Sequence, residues 1–558
     1  MKRRIMMAGL GLVITGVLIV SMAFMANAQA VGSFSKLSQS GDDPQRQSST
    51  ADHTKFEVLQ VDFTTGPEVT AACLTCHTEA AKQVMETPHW TWEYADPQTG
   101  EKLGKKNVIN NFCQSVESNE PRCTSCHVGY GWEDKDFDFT VEENVDCLVC
   151  HDTTGTYKKL PTTAGHPVYD EPKEFPAGSG KMWEVVDLTL VAQNVGATSR
   201  QTCGACHFDG GGGNGVKHGD LDQSLISPDH GLDVHMDAEG LNFTCATCHA
   251  PQAHVIPGSR YQVEAKDEDG IALPGRGNSA LTCEDCHGLT PHPAGNEMAV
   301  ELNKHVEKIA CQTCHIPTFA RGGYPTKTWW DWSTAGKMDE DGKPINIEDE
   351  NGLHIYLAKK GDFVWEENVR PEYAWFNGDI DYQSMKPFEE GTEALQVNQI
   401  HGSPDDPNSR IWPFKIMRGK QPYDTVNNTL VTPHVYGKDD TAYWGNYDWQ
   451  KSITTGMEYS GFEYSGEYDF IETEMYWPIA HMVAPAEDAL DCDACHRRNQ
   501  GVLAGVEGIY IPGVTETPII DKISWSFIAL TLAGVLIHSL ARFISSKMRK
   551  QKESIQNG

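Results

Sequence analysis

The chain is poor in apolar side chains. Of 558 residues, 39% are hydrophobic, a modest supply for so long a chain. A conventional core of that size draws on more, so something other than apolar side chains must help to fill the interior. Positive charge is also scarce. Lys and Arg number 45 against 78 Asp and Glu, a formal charge of -33. Such a balance excludes nucleic acid as a partner. It also means that an anionic substrate needs a local basic pocket to offset the global field. Long hydrophobic runs are confined to the two ends.

The first run follows Lys2, Arg3 and Arg4, spans Ile5 to Phe24 and meets Ala26-Asn27-Ala28. That is the form of an export signal over residues 1–28, cleaved after its small-residue site. Loss of its three basic residues takes the charge from -33 to -36. Residues 29–54 are polar and read as a flexible linker. The second run, Ile523 to Ile544, is long enough to cross a bilayer as a helix, and places a membrane segment over 519–546. Lys547, Arg549, Lys550 and Lys552 follow it. The positive-inside rule puts the tail, 547–558, in the cytoplasm and the body on the periplasmic side. His538 inside this segment reads as a neutral imidazole near the headgroups.

What the chain has in excess is cysteine, 17 residues. Sixteen fall in eight C-x-x-C-H boxes. In order these are Cys73-Cys76-His77, Cys123-Cys126-His127, Cys147-Cys150-His151 and Cys203-Cys206-His207. Then come Cys245-Cys248-His249, Cys283-Cys286-His287, Cys311-Cys314-His315 and Cys492-Cys495-His496. Zinc sites and disulfides also use paired cysteines, but neither needs His at the next position. The box is the attachment site of c-type haem: two thiols add to the porphyrin vinyls and the imidazole reaches iron. Eight covalently bound c-type haems follow, and they supply much of the missing core.

Seven boxes lie within residues 55–315, a haem-rich core. The eighth, with its connector, occupies 492–518, after a gap of 181 residues from the seventh. The box-free stretch, 316–491, is rich in Trp and reads as turns and short strands packed on the core. The fold class expected is mostly α with long loops: a multihaem cytochrome c core around eight haems, with short helices carrying the boxes, plus one C-terminal transmembrane helix.

Low-spin haems need a second axial ligand. The strongest distal candidates are His89, His166, His218, His230, His235, His254, His292, His305 and His481. His354, His401 and His434 are weaker, and His53 lies in the linker. Substrate chemistry needs one haem with a replaceable ligand. A deprotonated lysine can provide it. Lys158 and Lys159 follow the third box, and Lys217 stands beside His218 in GGGGNGVKHGDLD, where glycines permit close backbone approach. The odd cysteine, Cys113, lies between Lys105, Lys106 and Arg122, neighbours that favour a thiolate.

The stretches TEAAKQVMETPHWTWEY, GKKNVINNFC, PRCTSCHVGYGW, VDCLVCHDTTGTYKK, TCGACHFDGGGGNGVKHGDLD and CQTCHIPTFARG resemble the octahaem tetrathionate reductase family of multihaem cytochromes c. The resemblance covers about residues 69–336. It implies seven bis-His haems and one active-site haem with lysine as distal ligand. That haem is placed on the second box, with Cys113 beside it. Lys217 is favoured over Lys158 or Lys159 as the ligand, with Asn214 and Asp220 as its neighbours. The activity implied is reduction of tetrathionate, nitrite or hydroxylamine, fed by a quinol-linked or periplasmic electron donor. The C-terminal membrane segment is a departure from the soluble type member. Two other readings stay open: a membrane-tethered electron carrier with no substrate, and an octahaem oxidase of hydroxylamine.

Overall fold

In the computed structural model, residues 50–96, 99–271, 280–293, 295, 297–497, 501–512, 514–515 and 518–556 are described. The export signal and most of the linker lie outside them. The chain forms two compact units, up to Ala489 and from Leu490 onward.

In the first unit every box rides on a short helical segment. Helix α1, Gly66–Leu74, begins with a Thr65–Glu68 capping box and carries Cys73 in its last turn. Helix α2, Arg200–His207, contains a whole box and is capped by Ser199, whose hydroxyl accepts from the Thr202 amide. Thr244 and Thr282 stand in the same capping position before the fifth and sixth boxes. Helix α3, Cys311–His315, is a box and nothing more. One helical turn puts the first cysteine, the second and the histidine on one face, because residues three and four apart are neighbours.

The box-free stretch departs from the expectation of a mostly α protein. It builds a nine-stranded sheet: β1 Thr326–Asp331, β2 Asn346–Glu348, β3 His354–Leu357, β4 Gly361–Glu366, β5 Glu372–Phe376, β6 Ala394–Gln396, β7 Arg410–Asp424, β8 Thr429–Leu430 and β9 Tyr468–Pro478. The order is β6-β9-β7-β1-β4-β3-β2, with β5 and β8 also paired to β7. The long antiparallel pair β7–β9 runs from Phe414 opposite Pro478 to Asp424 opposite Tyr468. On β9 the buried residues are Ile471, Thr473, Met475 and Trp477, a strict period of two. The alternation is present in the sequence, which reads here as turns and short strands; nothing local shows that such strands join one sheet.

The core of this region is aromatic. Trp330, Trp332, Phe376, Phe414 and Tyr443 are fully buried, and helix α4, Trp449–Ser460, packs Ile453 and Met457 onto them. Phe112, from the segment before the second box, joins the same cluster, with Cys113 at its edge. The sheet therefore meets the box-bearing segment at the odd cysteine.

In the second unit the eighth box forms the helix Cys492–His496, capped by the Asp491 carboxylate on the Ala494 amide at 2.8 Å. Helix α5, Pro518–Gln556, has 39 residues, about twice the length a bilayer core requires. It is apolar enough to cross a membrane, and its described side chains are exposed.

Candidate functional site

Six box histidines each face a second imidazole. The pairs are His77 with His53 at 6.4 Å between ring centroids, His207 with His89 at 6.2 Å, and His151 with His254 at 6.4 Å. The others are His249 with His481 at 6.5 Å, His287 with His235 at 6.0 Å, and His315 with His292 at 6.4 Å. Two imidazoles bound to one metal through facing nitrogens, at about 2 Å each, have centroids roughly 6 Å apart.

The other ring nitrogen confirms the orientation. Nδ1 of His151 lies 2.8 Å from the Gly196 carbonyl, and Nδ1 of His249 lies 2.9 Å from that of Pro257. Among the second ligands, Nδ1 of His254 meets Gln83, that of His292 meets Asn303, and that of His481 meets Asp220 at 3.0 Å. A partner on Nδ1 fixes the tautomer and leaves Nε2 for iron, as metal-binding histidines require. Burial lowers the pKa of His207 to about 3, which keeps the imidazole neutral. These residues fit c-type haem.

The boxes also neighbour one another. Cysteines of different boxes lie beside one another: Cys73 by Cys147, Cys126 by Cys206, Cys203 by Cys245, and Cys283 by Cys311. Cys150 lies close enough to Cys203, and Cys286 to Cys248, to interact through charge. The first seven boxes thus form one branched series, with the second box attached to the fourth.

The second box is different. His127 has its Nε2, not its Nδ1, engaged, at 2.7 Å from the Trp90 carbonyl, while Nδ1 is buried without a partner. Its ring sits in a cage of Trp90, Trp92, Trp132, Phe137 and Phe139, with centroids 4.9 to 6.1 Å away. Burial lowers its pKa to about 3. Against the main chain of this box lies Lys159, its Nζ 2.5 Å from the His127 carbonyl and 3.2 Å from that of Gly129. The amine is held by the buried Asp146 carboxylate at 2.9 Å. Asp146 also accepts from the hydroxyls of Tyr130 and Tyr157 at 2.7 and 2.9 Å.

A cluster of cationic side chains around Trp477 stands near the same box. Lys217 and Arg260 both lie over Trp477, at 5.2 and 4.7 Å from its ring, and His218 packs on that ring at 4.9 Å. Phe112 meets Trp477 edge-on at 5.7 Å. Lys217 has its pKa pushed well down by burial and then by Arg260 and Lys105, with Cys126 and Cys113 acting the other way. The glycine-rich loop closes here. Gly211, at φ 75°, would place a Cβ 3.3 Å from Phe112 and 3.4 Å from Lys217, so its turn and its contact both require the missing side chain.

The remaining candidates fall elsewhere. His166 stacks on Tyr130, His230 is an exposed partner of Asp237, and His218 lies on Trp477; none of the three faces a box histidine. His305 ends the helix Glu297–His305, and Nδ1 of His496 lies 3.3 Å from the Pro512 carbonyl. His354, His401 and His434 pair with Glu348, Asp381 and Asp439. Asp220 serves His481 rather than Lys217, and Asn214 accepts from the Gln223 amide. Sequence reasoning passed over His53 as linker, along with Arg260, Trp477 and Asp146. For His53 the signal was available: imidazoles were needed, and this one lies 20 residues before the first box.

The comparisons agree with this geometry. The family described as "Cytochrome c bacterial" matches residues 327–499, and "Cytochrome c554 and c-prime" matches residues 72–152. A search of curated proteins returned no match. Among solved structures, that of an octaheme cytochrome c from Shewanella oneidensis is 44% identical. It covers 82% of this chain and 97% of its own, with a TM-score of 0.70.

Proposed function

Because this chain belongs to the octahaem cytochrome c family, we propose that it is an extracytoplasmic reductase whose reacting centre is the second box and whose other haems pass electrons to it. Its multihaem nature and electron-transfer role follow from the family and the boxes. Eight haems, the reacting box and the substrate belong to the proposal. The observation that carries it is the contrast at His127. Six boxes have a second imidazole paired with their own, whereas His127 has its Nε2 engaged by the Trp90 carbonyl and its ring caged.

Lys217 is the better iron ligand of the two lysines. Burial pushes its pKa well down, which leaves its amine a lone pair, and that amine has no hydrogen bond or ion pair among the described residues. The Lys159 amine is engaged instead by the His127 and Gly129 carbonyls and the Asp146 carboxylate, which take all three of its N–H donors. A c-type haem held at this box supplies electrons and an exchangeable coordination position. The chain's own groups do the rest. Cys113 is the nucleophile for a disulfide-like bond. Its thiolate attacks one central sulfur of tetrathionate, the central S–S bond breaks, and one thiosulfate leaves. The cysteine then carries –S–SO3⁻, and two electrons release the second thiosulfate and restore the thiolate. Arg260 neutralises the charge that builds on the departing sulfur of the thiosulfate.

Helix α5 anchors the protein to the membrane from outside, within reach of a quinol-linked or periplasmic donor. The test is low-temperature EPR of the oxidised holoprotein, with and without nitrite and hydroxylamine. A minority signal distinct from bis-His haem, perturbed by either ligand, is expected. It should vanish in Lys217→Ala and persist in Lys159→Ala. The opposite pattern moves the ligand to Lys159. Only inert bis-His signals would leave a tethered electron carrier in place of the reductase. Cys113→Ala should cut tetrathionate turnover more than nitrite turnover.

A further inference from the structure

The reductase reading uses one wall of the pocket, and the sheet supplies another that it does not use. Lys327 on β1 is 5% exposed, and its amine is ringed by aromatic faces: Phe363 at 3.3 Å, Trp330 at 4.1 Å and Trp365 at 4.8 Å. Lys360, in the turn before β4, lies 5.6 Å from the same Trp330 and 5.3 Å from Trp444. Neither amine makes a hydrogen bond or an ion pair among the described residues. In a chain with 78 acidic residues and a charge of -33, two neighbouring amines without an acidic partner are not an accident of composition. A buried cation is costly unless paired, so such groups mark a place where the counter-charge arrives from outside. Nearby Lys415 shows the alternative. It is 1% exposed, but its amine is satisfied by the Val216 carbonyl at 2.7 Å and the Thr326 hydroxyl at 2.6 Å.

Two observations tie the sheet lysines to the pocket at Cys113. The thiol interacts through charge with Lys327 and Lys360 as it does with Lys217. The glycine-rich loop touches both groups as well. Gly211 approaches Phe112 and Lys217, while a Cβ on Gly212 would lie 3.4 Å from the Lys360 amine. The cations stand on two tryptophans: Arg260 on Trp477, Lys327 and Lys360 on Trp330. Cys113 packs against the aromatic cluster that contains both rings.

We propose that Lys327 and Lys360 form a second oxyanion subsite, so that the pocket grips an elongated dianion at both ends with its reactive middle at Cys113. The assignment rests on the reading of the second box as the reacting centre. It makes the two lysines specificity residues. A substrate with a sulfonate at each end uses both cation sets, whereas nitrite fills one.

The test uses the full-chain holoprotein and the variants Lys327→Gln, Lys360→Gln and Lys327→Arg. Haem content and the visible spectrum report folding. One arm measures binding of dithionate, a dianion with a sulfonate at each end, by calorimetry. The other measures kcat/KM for tetrathionate and for nitrite with a reduced dye as donor. Dithionate should bind at least tenfold more weakly to both Gln variants and nearly normally to Lys327→Arg. The tetrathionate-to-nitrite ratio of kcat/KM should fall by at least tenfold. If turnover is present but neither the ratio nor dithionate binding changes, the subsite is refuted and the reductase reading survives. If dithionate binding weakens in a protein that turns over nothing, the subsite stands and the reductase reading fails.

Discussion

The box-bearing segment and the sheet solve the same problem with different material. The first, from Leu59 to His315, has small apolar clusters and helices of one or two turns, and paired imidazoles stand where a core would be. The second buries Trp330, Trp332, Phe376, Phe414 and Tyr443 in one continuous cluster without any box. One half is ordered around a cofactor that its own side chains do not replace. The other is self-sufficient, and so can hold lysines rigidly in a pocket. The division places the haem boxes in the first half and lets the proposed substrate site draw on both.

The sharpest way to break this comparison is Trp330→Ala. The ring is fully buried, stacked on Trp332 at 5.0 Å, and its Nε1 donates to the Lys360 carbonyl at 2.8 Å. Removing it should cost about 3–5 kcal/mol. It should also release Lys327 and Lys360 together. Thermal unfolding of the holoprotein should shift downward while the bis-His spectrum at ambient temperature is unchanged. If the haem spectrum changes as much as the stability, the two halves are not separable in this way.

A smaller effect concerns pH. Burial depresses the pKa of Lys327 well below the ordinary 10.5, with repulsion from Lys360 and Lys415 adding to it and the Cys113 charge opposing it. Lys360 is lowered as well, by burial first and then by Arg122 and Lys359, again against Cys113. An arriving anion favours the charged amines, so binding takes up protons. Linkage fixes the sign: affinity falls as pH rises through the depressed values, and is fully present below them. Dithionate binding measured across neutral to alkaline pH should weaken by up to about tenfold per unit for each proton taken up. A flat profile would mean that the amines are already charged, or that they do not meet the anion.

How much of this was legible in the sequence follows the same division. The boxes announced the haem-binding segment because a covalent cofactor needs fixed residue types at fixed spacing, and one helical turn satisfies it. The imidazole pairs were only half legible. His89, His235, His254, His292 and His481 are where distal ligands were sought, but His53 was hidden by its polar surroundings. The sheet was missed as a sheet. On β9 the buried Ile471, Thr473, Met475 and Trp477 alternate with polar residues, and nothing local shows that β7 lies beside them. The pocket was the least legible part. Its groups come from positions 113, 217, 260, 327, 360 and 477, and only the fold brings them together. The expectation that an anionic substrate needs a local basic pocket was a statement about charge, and charge alone gave no address.

The smallest effect lies on the rim of the sheet, where Arg418 looks like a strong anchor. On β7 it holds Glu372 of β5 through two hydrogen bonds, at 2.6 and 3.0 Å, and Glu474 of β9 at 2.9 Å. The pairing raises its pKa further, chiefly through Glu372. Yet the side chain is 40% exposed, and water and salt screen what it gains. Arg418→Ala should therefore cost no more than about 1 kcal/mol. The loss should shrink at high salt in denaturant titrations. The strands it bridges are already joined by the backbone ladder from Phe414 to Asp424 and by the aromatic cluster beneath. A larger, salt-independent loss would mean that the sheet depends on its charged rim, and the contrast between a self-sufficient half and a cofactor-ordered half would have to be redrawn.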